Sequence, residues 1–127
     1  MTATKVVDAS AIAALLYGEP EGQRIADAIG GHRLMAPALL PFELANVCWK
    51  KCKRDSSNRF ALVSAFALLD RLMIEMHRVD FDAVLSLALD SGLTTYDASY
   101  LWLSRKLSLE LVTLDRTQAR VAALPGA

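Results

Sequence analysis

Four acidic residues stand where solvated charges are not expected. Asp8 and Asp115 each follow a short β-branched segment, Asp97 opens a nearly all-apolar stretch, and Glu43 has Leu, Leu and Val at positions −4, −3 and +4. A buried carboxylate without a partner costs several kcal/mol or becomes protonated. Four converging carboxylates would repel one another, so they would need a cation. An all-oxygen ligand set suits Mg²⁺, with Mn²⁺ as a substitute.

Each of these acids also has a simpler structural role. Asp115 and Gln118 match a helix capping box. Asp97 would be favoured by the dipole of the helix that it opens. Asp8 could cap the first helix, a role for which Ser10 competes. The side chain of Glu43 could turn outward to solvent. The spacing alone therefore leaves a metal site and these structural roles both open.

The elements that would position these acids alternate along the chain. Strands are predicted at 4–7, 33–36, 76–79 and 109–113. Helices are predicted at 11–16, 21–29, 38–54, 59–73, 81–89, 96–106 and 116–123. This alternation predicts a parallel-rich α/β sheet with helices on both faces. Ligands of such sheets bind beyond the carboxyl ends of the strands, where Asp8 and Asp115 fall.

The composition limits the class of protein. With 127 residues, 54% of them hydrophobic, and a mean hydropathy of +0.28, the chain is expected to fold as one domain over residues 1–127. No apolar run approaches the roughly 20 residues of a membrane span, and residues 1–30 lack a signal-peptide layout. We therefore expect a cytoplasmic protein without membrane segments.

The remaining chemistry-bearing residues fit structural roles better. Cys48 and Cys52 are four residues apart on one predicted helix and cannot form a disulfide framework. A zinc site would need further ligands, and His32 and His77 lie in unrelated contexts. We expect both thiols and both histidines to be structural.

Four segments in chain order carry a resemblance to a known family. They read Val-Val-Asp-Ala-Ser at 6–10, Pro-Phe-Glu-Leu-Ala-Asn at 41–46, Thr-Tyr-Asp-Ala-Ser-Tyr at 95–100 and Val-Thr-Leu-Asp at 112–115. They resemble the successive acidic motifs of PIN domains, and most of all those of VapC-type toxins of toxin–antitoxin pairs. The resemblance spans residues 5 to about 122.

The resemblance implies a fold. It is a PIN-like three-layer α/β/α sandwich, with a mostly parallel sheet of four or five short strands and about seven helices. Family members often continue past the last helix into a further strand, which has no counterpart before residue 127. The number of strands, four or five, therefore stays open.

The resemblance also implies an activity, which is metal-dependent cleavage of RNA by an endoribonuclease. The acidic quartet that would hold Mg²⁺ comprises Asp8, Glu43, Asp97 and Asp115. Residues expected to support this quartet are Ser10, Asn46 and Thr113. The products would carry 5′-phosphate and 3′-hydroxyl ends.

Substrate binding must be reconciled with a balanced charge of 14 basic and 14 acidic residues. This balance argues against binding nucleic acid by bulk positive charge but permits a local patch. Lys50 and Arg54 follow Glu43 on one helix, and Arg116 follows Asp115, so these cations could hold phosphates of the RNA. The basic run that ends this helix, made of Lys50, Lys51, Lys53 and Arg54, could equally be a solvated helix end.

The apolar surplus predicts partners. The segments 12–16 and 60–69 offer more apolar positions than one small core needs. Tyr96 and Tyr100 could stack on a base or belong to the core. The resemblance implies a homodimer and an antitoxin that inserts a helix into an apolar groove. We expect the antitoxin to present a basic residue to the quartet.

Other classes of protein fit the residues less well. A phosphoacceptor receiver domain needs an acidic pair after its first strand, and a haloacid-dehalogenase-type phosphatase needs Asp-x-Asp, whereas this chain has Asp8-Ala9-Ser10. Two alternatives stay open. One is a PIN nuclease of RNA processing or decay outside a toxin pair, and the other is a catalytically inactive PIN binding module.

Overall fold

Helices and short strands alternate along the computed structural model, which describes residues 3–125. Its strands are β1 (Thr4–Val7), β2 (Arg33–Pro37), β3 (Glu75–His77) and β4 (Glu110–Val112). The α-helices of this range are α1 (Ala9–Leu16), α2 (Gly22–Ile29), α3 (Leu40–Arg54), α4 (Arg59–Ala67), α5 (Phe81–Ser91), α6 (Thr95–Leu107) and α7 (Arg116–Ala122). The predicted α/β class is confirmed, with four strands in the described range.

The four strands form one parallel sheet in the order β3-β2-β1-β4. Val6 of β1 stands opposite Met35 of β2 on one side and Leu111 of β4 on the other. The chain therefore runs from β1 outward to β3 and then crosses back to the far side of β1. Because parallel crossovers are right-handed, this reversal places α1–α4 on one face and α5 and α6 on the other. The reversal between β1 and β4 is also the position where open α/β sheets bind ligands.

The core fixes α6 against the sheet. Val6 and Val7 have no exposed surface, and the first core cluster also contains Ile12 of α1 and Leu103 of α6. Helix α6 contacts β1, β2 and β4. A second, smaller cluster includes Leu101 of α6 and residues of α5. The N-terminus of α6, which carries Asp97, is thereby held near the carboxyl ends of β1 and β4.

The first helix begins earlier than predicted, and its cap is Asp8 rather than Ser10. The backbone of Asp8 is extended, with φ −103° and ψ 175°, and its Oδ1 accepts a hydrogen bond of 3.0 Å from the amide of Ala11. Ser10 lies inside α1. Because β1 ends at Val7, the carboxylate of Asp8 is the first acceptor available to the free amides of the helix.

The helix predicted at 59–73 is wrong in its second half. Helix α4 ends at Ala67, a 3₁₀ segment covers Leu68–Leu72, and Met73 is left-handed with φ 53°. The two segments with surplus apolar residues, 12–16 and 60–69, also differ in burial. Ile12 of α1 is fully buried, whereas Phe60 of α4 is 86% exposed.

Three other expectations concern residues outside the sheet edge. Cys48 is buried, Cys52 is half-buried, and both are free thiols. The ring Nδ1 of His32 lies 3.0 Å from the backbone oxygen of Ala3, so His32 contacts the main chain. No helix within residues 3–125 is long and apolar enough to cross a membrane.

Candidate active site

The four acids singled out from the sequence line one cavity. This cavity has a volume of about 250 Å³, and Asp8, Glu43, Asp97 and Asp115 all contribute to its wall. We call it the acidic cavity. It lies at the carboxyl ends of β1 and β4, where the sheet topology predicts a ligand site. The structure therefore brings together side chains that are up to 107 positions apart in the chain.

Each acid stands at the beginning of a different helix. Asp8 caps α1 and Asp115 caps α7, while Glu43 and Asp97 lie in the first turns of α3 and α6. The N-terminal end of a helix carries a partial positive charge, which favours a nearby carboxylate. The partial positive charge at the N-terminal ends of four helices therefore favours the negative charge of this cavity.

Asp8 is the most buried of the four, with 3% of its surface exposed. Its carboxylate accepts hydrogen bonds from the hydroxyl of Ser10 at 2.7 Å, from the hydroxyl of Thr113 and from the amide of Ala11. Burial raises the pKa of Asp8 in spite of these donors, and the charge of Asp115 adds to the rise. The carboxylate is thus fixed in orientation, while its burial disfavours the charged form.

Ser10 and Thr113 link the ends of β1 and β4, and we call this pair the hydroxyl clamp. Each hydroxyl donates a hydrogen bond to Asp8 and accepts one from a backbone N–H of the segment after β4. Ser10 Oγ accepts from Leu114 at 2.9 Å, and Thr113 Oγ1 accepts from Asp115 at 3.0 Å. The clamp therefore sets the position of Asp115 relative to Asp8.

Glu43 has one strong hydrogen-bond donor, Tyr100. The Tyr100 hydroxyl donates to Glu43 Oε1 at 2.6 Å, and Tyr100 itself is 1% exposed. Burial raises the pKa of Glu43, with further rises from the charges of Asp97 and Asp8. Burial and the neighbouring Glu43 also raise the pKa of Tyr100. The sequence did not assign this contact, although the spacing of three residues from Asp97 places Tyr100 on the same helix face.

Gln118 connects Asp97 with Asp115. Its backbone N–H donates to Asp115 Oδ1 at 2.8 Å, as the capping box predicts. Its fully buried side chain does not return to the cap but donates from Nε2 to the backbone oxygen of Asp97 at 3.0 Å. Burial raises the pKa of Asp97, and the charges of Asp115 and Asp8 raise it further. The sequence did not assign this tie between α6 and α7.

The chemistry of the donors fits a hard divalent cation. No group of three or more acidic, His or Cys side chains has metal-binding spacing in the part of the chain that the structure describes. The cavity nevertheless presents carboxylates from four elements, the oxygen donors that Mg²⁺ and Mn²⁺ take. Burial raises the pKa values of Asp8, Glu43 and Asp97, and the neighbouring carboxylates raise them further, so a bound cation would offset a negative charge that the cavity disfavours.

Predicted site residues that do not line the acidic cavity include Asn46, Lys50, Arg54 and Arg116. Asn46 and Lys50 line a neighbouring groove. Arg116 is the exposed first residue of α7, directly after Asp115, and Arg54 is exposed at the end of α3. Lys51, from the same basic run, is instead bound to Glu19 by an ion pair of 2.8 Å.

Comparison with known proteins places the chain in a family. The PIN domain family matches residues 5–124. Ribonuclease VapC3 of Pyrobaculum aerophilum is 34% identical over 121 residues, which cover 90% of this chain and 91% of that protein. The crystal structure of PAE2754 from Pyrobaculum aerophilum superposes with a TM-score of 0.74 at 28% identity, over 94% of this chain and 84% of that one. The chain therefore belongs to the PIN domain family and is VapC-like.

Proposed function

We propose that this protein is a metal-dependent endoribonuclease and the toxin of a type II toxin–antitoxin pair. The observation that carries the proposal is the convergence of Asp8, Glu43, Asp97 and Asp115 on one cavity at the sheet's ligand-binding edge. The likeness to Ribonuclease VapC3 over nine-tenths of the chain supports RNA as the substrate and the toxin role.

The reaction is hydrolysis of an RNA phosphodiester bond. The oxygen of a water molecule bonds to phosphorus and loses a proton to solvent, while the bond between phosphorus and the 3′-oxygen breaks and that oxygen takes up a proton. The products carry 5′-phosphate and 3′-hydroxyl ends. Asp8, Asp97 and Asp115 would hold Mg²⁺, with Glu43 contributing directly or through a water molecule. The bound ion would supply polarisation of the phosphate and a lower pKa for the attacking water.

The chain's own contribution is to hold these carboxylates in place. The hydroxyl clamp orients both oxygens of Asp8 and fixes the amide of Asp115. Tyr100 holds one oxygen of Glu43, and Gln118 ties the first turn of α6 to the start of α7. No His, Cys or Ser nucleophile is required by this reaction.

The toxin role requires an antitoxin. A groove between α3 and α4, of about 620 Å³, is lined by Trp49, Val63 and Phe66. Trp49 and Val63 are 58% and 50% exposed. We assign this groove to an apolar helix of the antitoxin, whose continuing chain presents a basic residue to the acidic cavity. We also expect the protein to be a homodimer in the cytoplasm.

Cleavage of total cellular RNA tests the nuclease. The reaction is run with Mg²⁺ or Mn²⁺ and with EDTA, using the wild type, Asp8→Asn and Asp97→Asn. The control is Asp82→Asn, which removes an exposed acid from the first turn of α5. Both site variants should lose at least about 100-fold in rate, because outer-shell substitutions at metal sites already cost up to about that much. The control should cleave like the wild type.

Two outcomes would contradict the proposal at different levels. Unchanged metal-dependent cleavage by Asp8→Asn and Asp97→Asn would refute the site. A folded wild type that cleaves no RNA with either metal would favour the inactive binding module. Growth arrest on expression, relieved by the product of an adjacent small reading frame, tests the toxin role, because a processing or decay nuclease would not require that relief.

A further inference from the structure

A second groove opens directly beside the acidic cavity. It has a volume of about 560 Å³ and shares Ala9, Glu43 and Val47 with that cavity. Helix α3 forms its wall from the first turn to Lys50, and α6 contributes Tyr96 from its own first turn. These first turns also carry Glu43 and Asp97. A molecule bound at the acidic cavity can therefore extend into this groove without crossing a ridge.

Two aromatic rings stand exposed in the groove. Phe42 is 80% exposed and Tyr96 is 64% exposed. Each precedes a proposed catalytic acid by one residue, since Phe42 is followed by Glu43 and Tyr96 by Asp97. The same helix turns that position the acids thus position two exposed rings, and aromatic rings can stack on a flat ligand.

Polar groups complete the groove along α3. Glu43, Asn46 and Lys50 are spaced by three and four residues and so lie on one side of the helix. Lys50 stands about 10 Å from Glu43 along the helix axis. Within residues 3–125, the Asn46 side chain makes no hydrogen bond and Lys50 makes no ion pair. The groove therefore carries two rings and a carboxylate at one end, an amide farther along α3 and a cation beyond it.

We propose that this groove binds an unpaired base of the RNA substrate next to the cleaved phosphodiester bond, an inference that rests on the proposed nuclease function. Phe42 and Tyr96 stack on the base, Asn46 hydrogen-bonds to its edge, and Lys50 binds a neighbouring phosphate. A purely apolar protein helix would leave the Asn46 amide and the Lys50 charge without partners, whereas a nucleotide satisfies both. A base can enter only if it is unstacked, so the groove selects single-stranded RNA.

Binding in EDTA tests the base subsite without cleavage. The probes are fluorescein-labelled oligoadenylate, oligouridylate and an abasic ribose-phosphate oligomer of equal length, with affinity read by fluorescence anisotropy. Phe42→Ala and Tyr96→Ala should each weaken binding of the base-containing oligomers by about 5- to 150-fold, the usual range for one stacked base. Binding of the abasic oligomer should not change. Phe81→Ala, which removes a 78% exposed ring on α5, is the control.

Two further variants separate the roles within the groove. Lys50→Ala should weaken binding of all three oligomers and lower the salt dependence by about one counterion. Asn46→Ala should reduce the difference in affinity between oligoadenylate and oligouridylate. If the two ring variants bind base-containing RNA as tightly as the control, or lose affinity equally for the abasic oligomer, the base subsite is refuted and the groove is left to a protein partner.

The two proposals fail separately. A wild type that binds base-containing RNA through Phe42 and Tyr96 but never cleaves RNA would remove the nuclease function and keep the subsite. An active nuclease whose ring variants bind RNA normally would remove the subsite alone.

Discussion

Replacement of Thr113 by valine tests how the acidic cavity is held together. Valine keeps the branched shape of the side chain and removes only the hydroxyl. That hydroxyl donates to Asp8 and accepts the amide of Asp115, so Thr113→Val takes one donor from a buried carboxylate and one acceptor from a backbone amide. Asp8, at 3% exposure, has little access to water that could replace the lost donor.

The cost follows from these two bonds. A hydrogen bond to a charged group contributes about 1.5–3 kcal/mol, and a neutral one contributes about 0.5–1.5 kcal/mol. Thr113 is only half-buried, so water can reach the freed amide of Asp115. We therefore expect Thr113→Val to lower the free energy of unfolding by about 2–3 kcal/mol at neutral pH. For a chain of this length, that loss corresponds to a fall in Tm of roughly 6–12 °C.

Urea and thermal unfolding, followed by circular dichroism without added metal, measure this loss. The matched control is Thr117→Val, an exposed position in the first turn of α7 whose hydroxyl makes no hydrogen bond within the described range. A Ser10→Ala variant and the double variant with Thr113→Val complete a cycle, and the shared acceptor Asp8 predicts a coupling above about 0.5 kcal/mol. If the free energy of unfolding of Thr113→Val lies within about 0.5 kcal/mol of that of the control, the hydroxyl clamp does not hold the cavity and the prediction is refuted.

Two other predictions concern the same cavity. Tyr100→Phe removes the hydrogen-bond donor to Glu43 and should lower kcat more than KM. In a Glu43→Gln background, the same Tyr100 change should have no further effect. Equal kcat values for Tyr100→Phe and the wild type would contradict this prediction. The pKa values of Asp8 and Asp97 are raised above 3.8 in the folded protein, so the folded state binds more protons there, and its metal-free stability should fall as pH rises from about 4 toward neutrality. In urea titrations, Asp97→Asn should make this fall in stability with pH smaller, and Mg²⁺ should reverse the fall in the wild type. Equal dependence of stability on pH in the variant and the wild type would contradict this prediction.

The sheet edge could be predicted from the sequence because it depends on local patterns. A β-branched segment that ends at an acid predicts both a strand and a group at its carboxyl end. In a parallel sheet all such ends meet at one edge, so the sequence predicts that Asp8 and Asp115 lie at the same edge whatever the strand order. Glu43 was placed beside the buried face because its neighbours at helical spacing are apolar.

Contacts between distant side chains could not be predicted in the same way. Tyr100 and Glu43 are 57 positions apart, and their contact depends on how α6 and α3 pack, which no local spacing specifies. The side chain of Gln118 matches a capping box but bonds to Asp97 instead, because α6 brings the backbone oxygen of Asp97 within its reach. Helix α4 was predicted to be longer because its apolar residues continue past Ala67, although the backbone there tightens into a 3₁₀ segment.

The structural and chemical interpretations of the acids are not rivals in this fold. Asp8 and Asp115 cap helices, and the same two carboxylates line the acidic cavity. A capping carboxylate must stand at a helix start, and a parallel α/β sheet collects its helix starts at the carboxyl edge of the strands. Capping thus delivers carboxylates to the edge where a cation would bind, and the helix dipoles reduce the cost of gathering them there. Asparagine also caps helices well, so Asp→Asn variants remove the charge and keep the cap, whereas alanine would remove both and leave the two roles confounded.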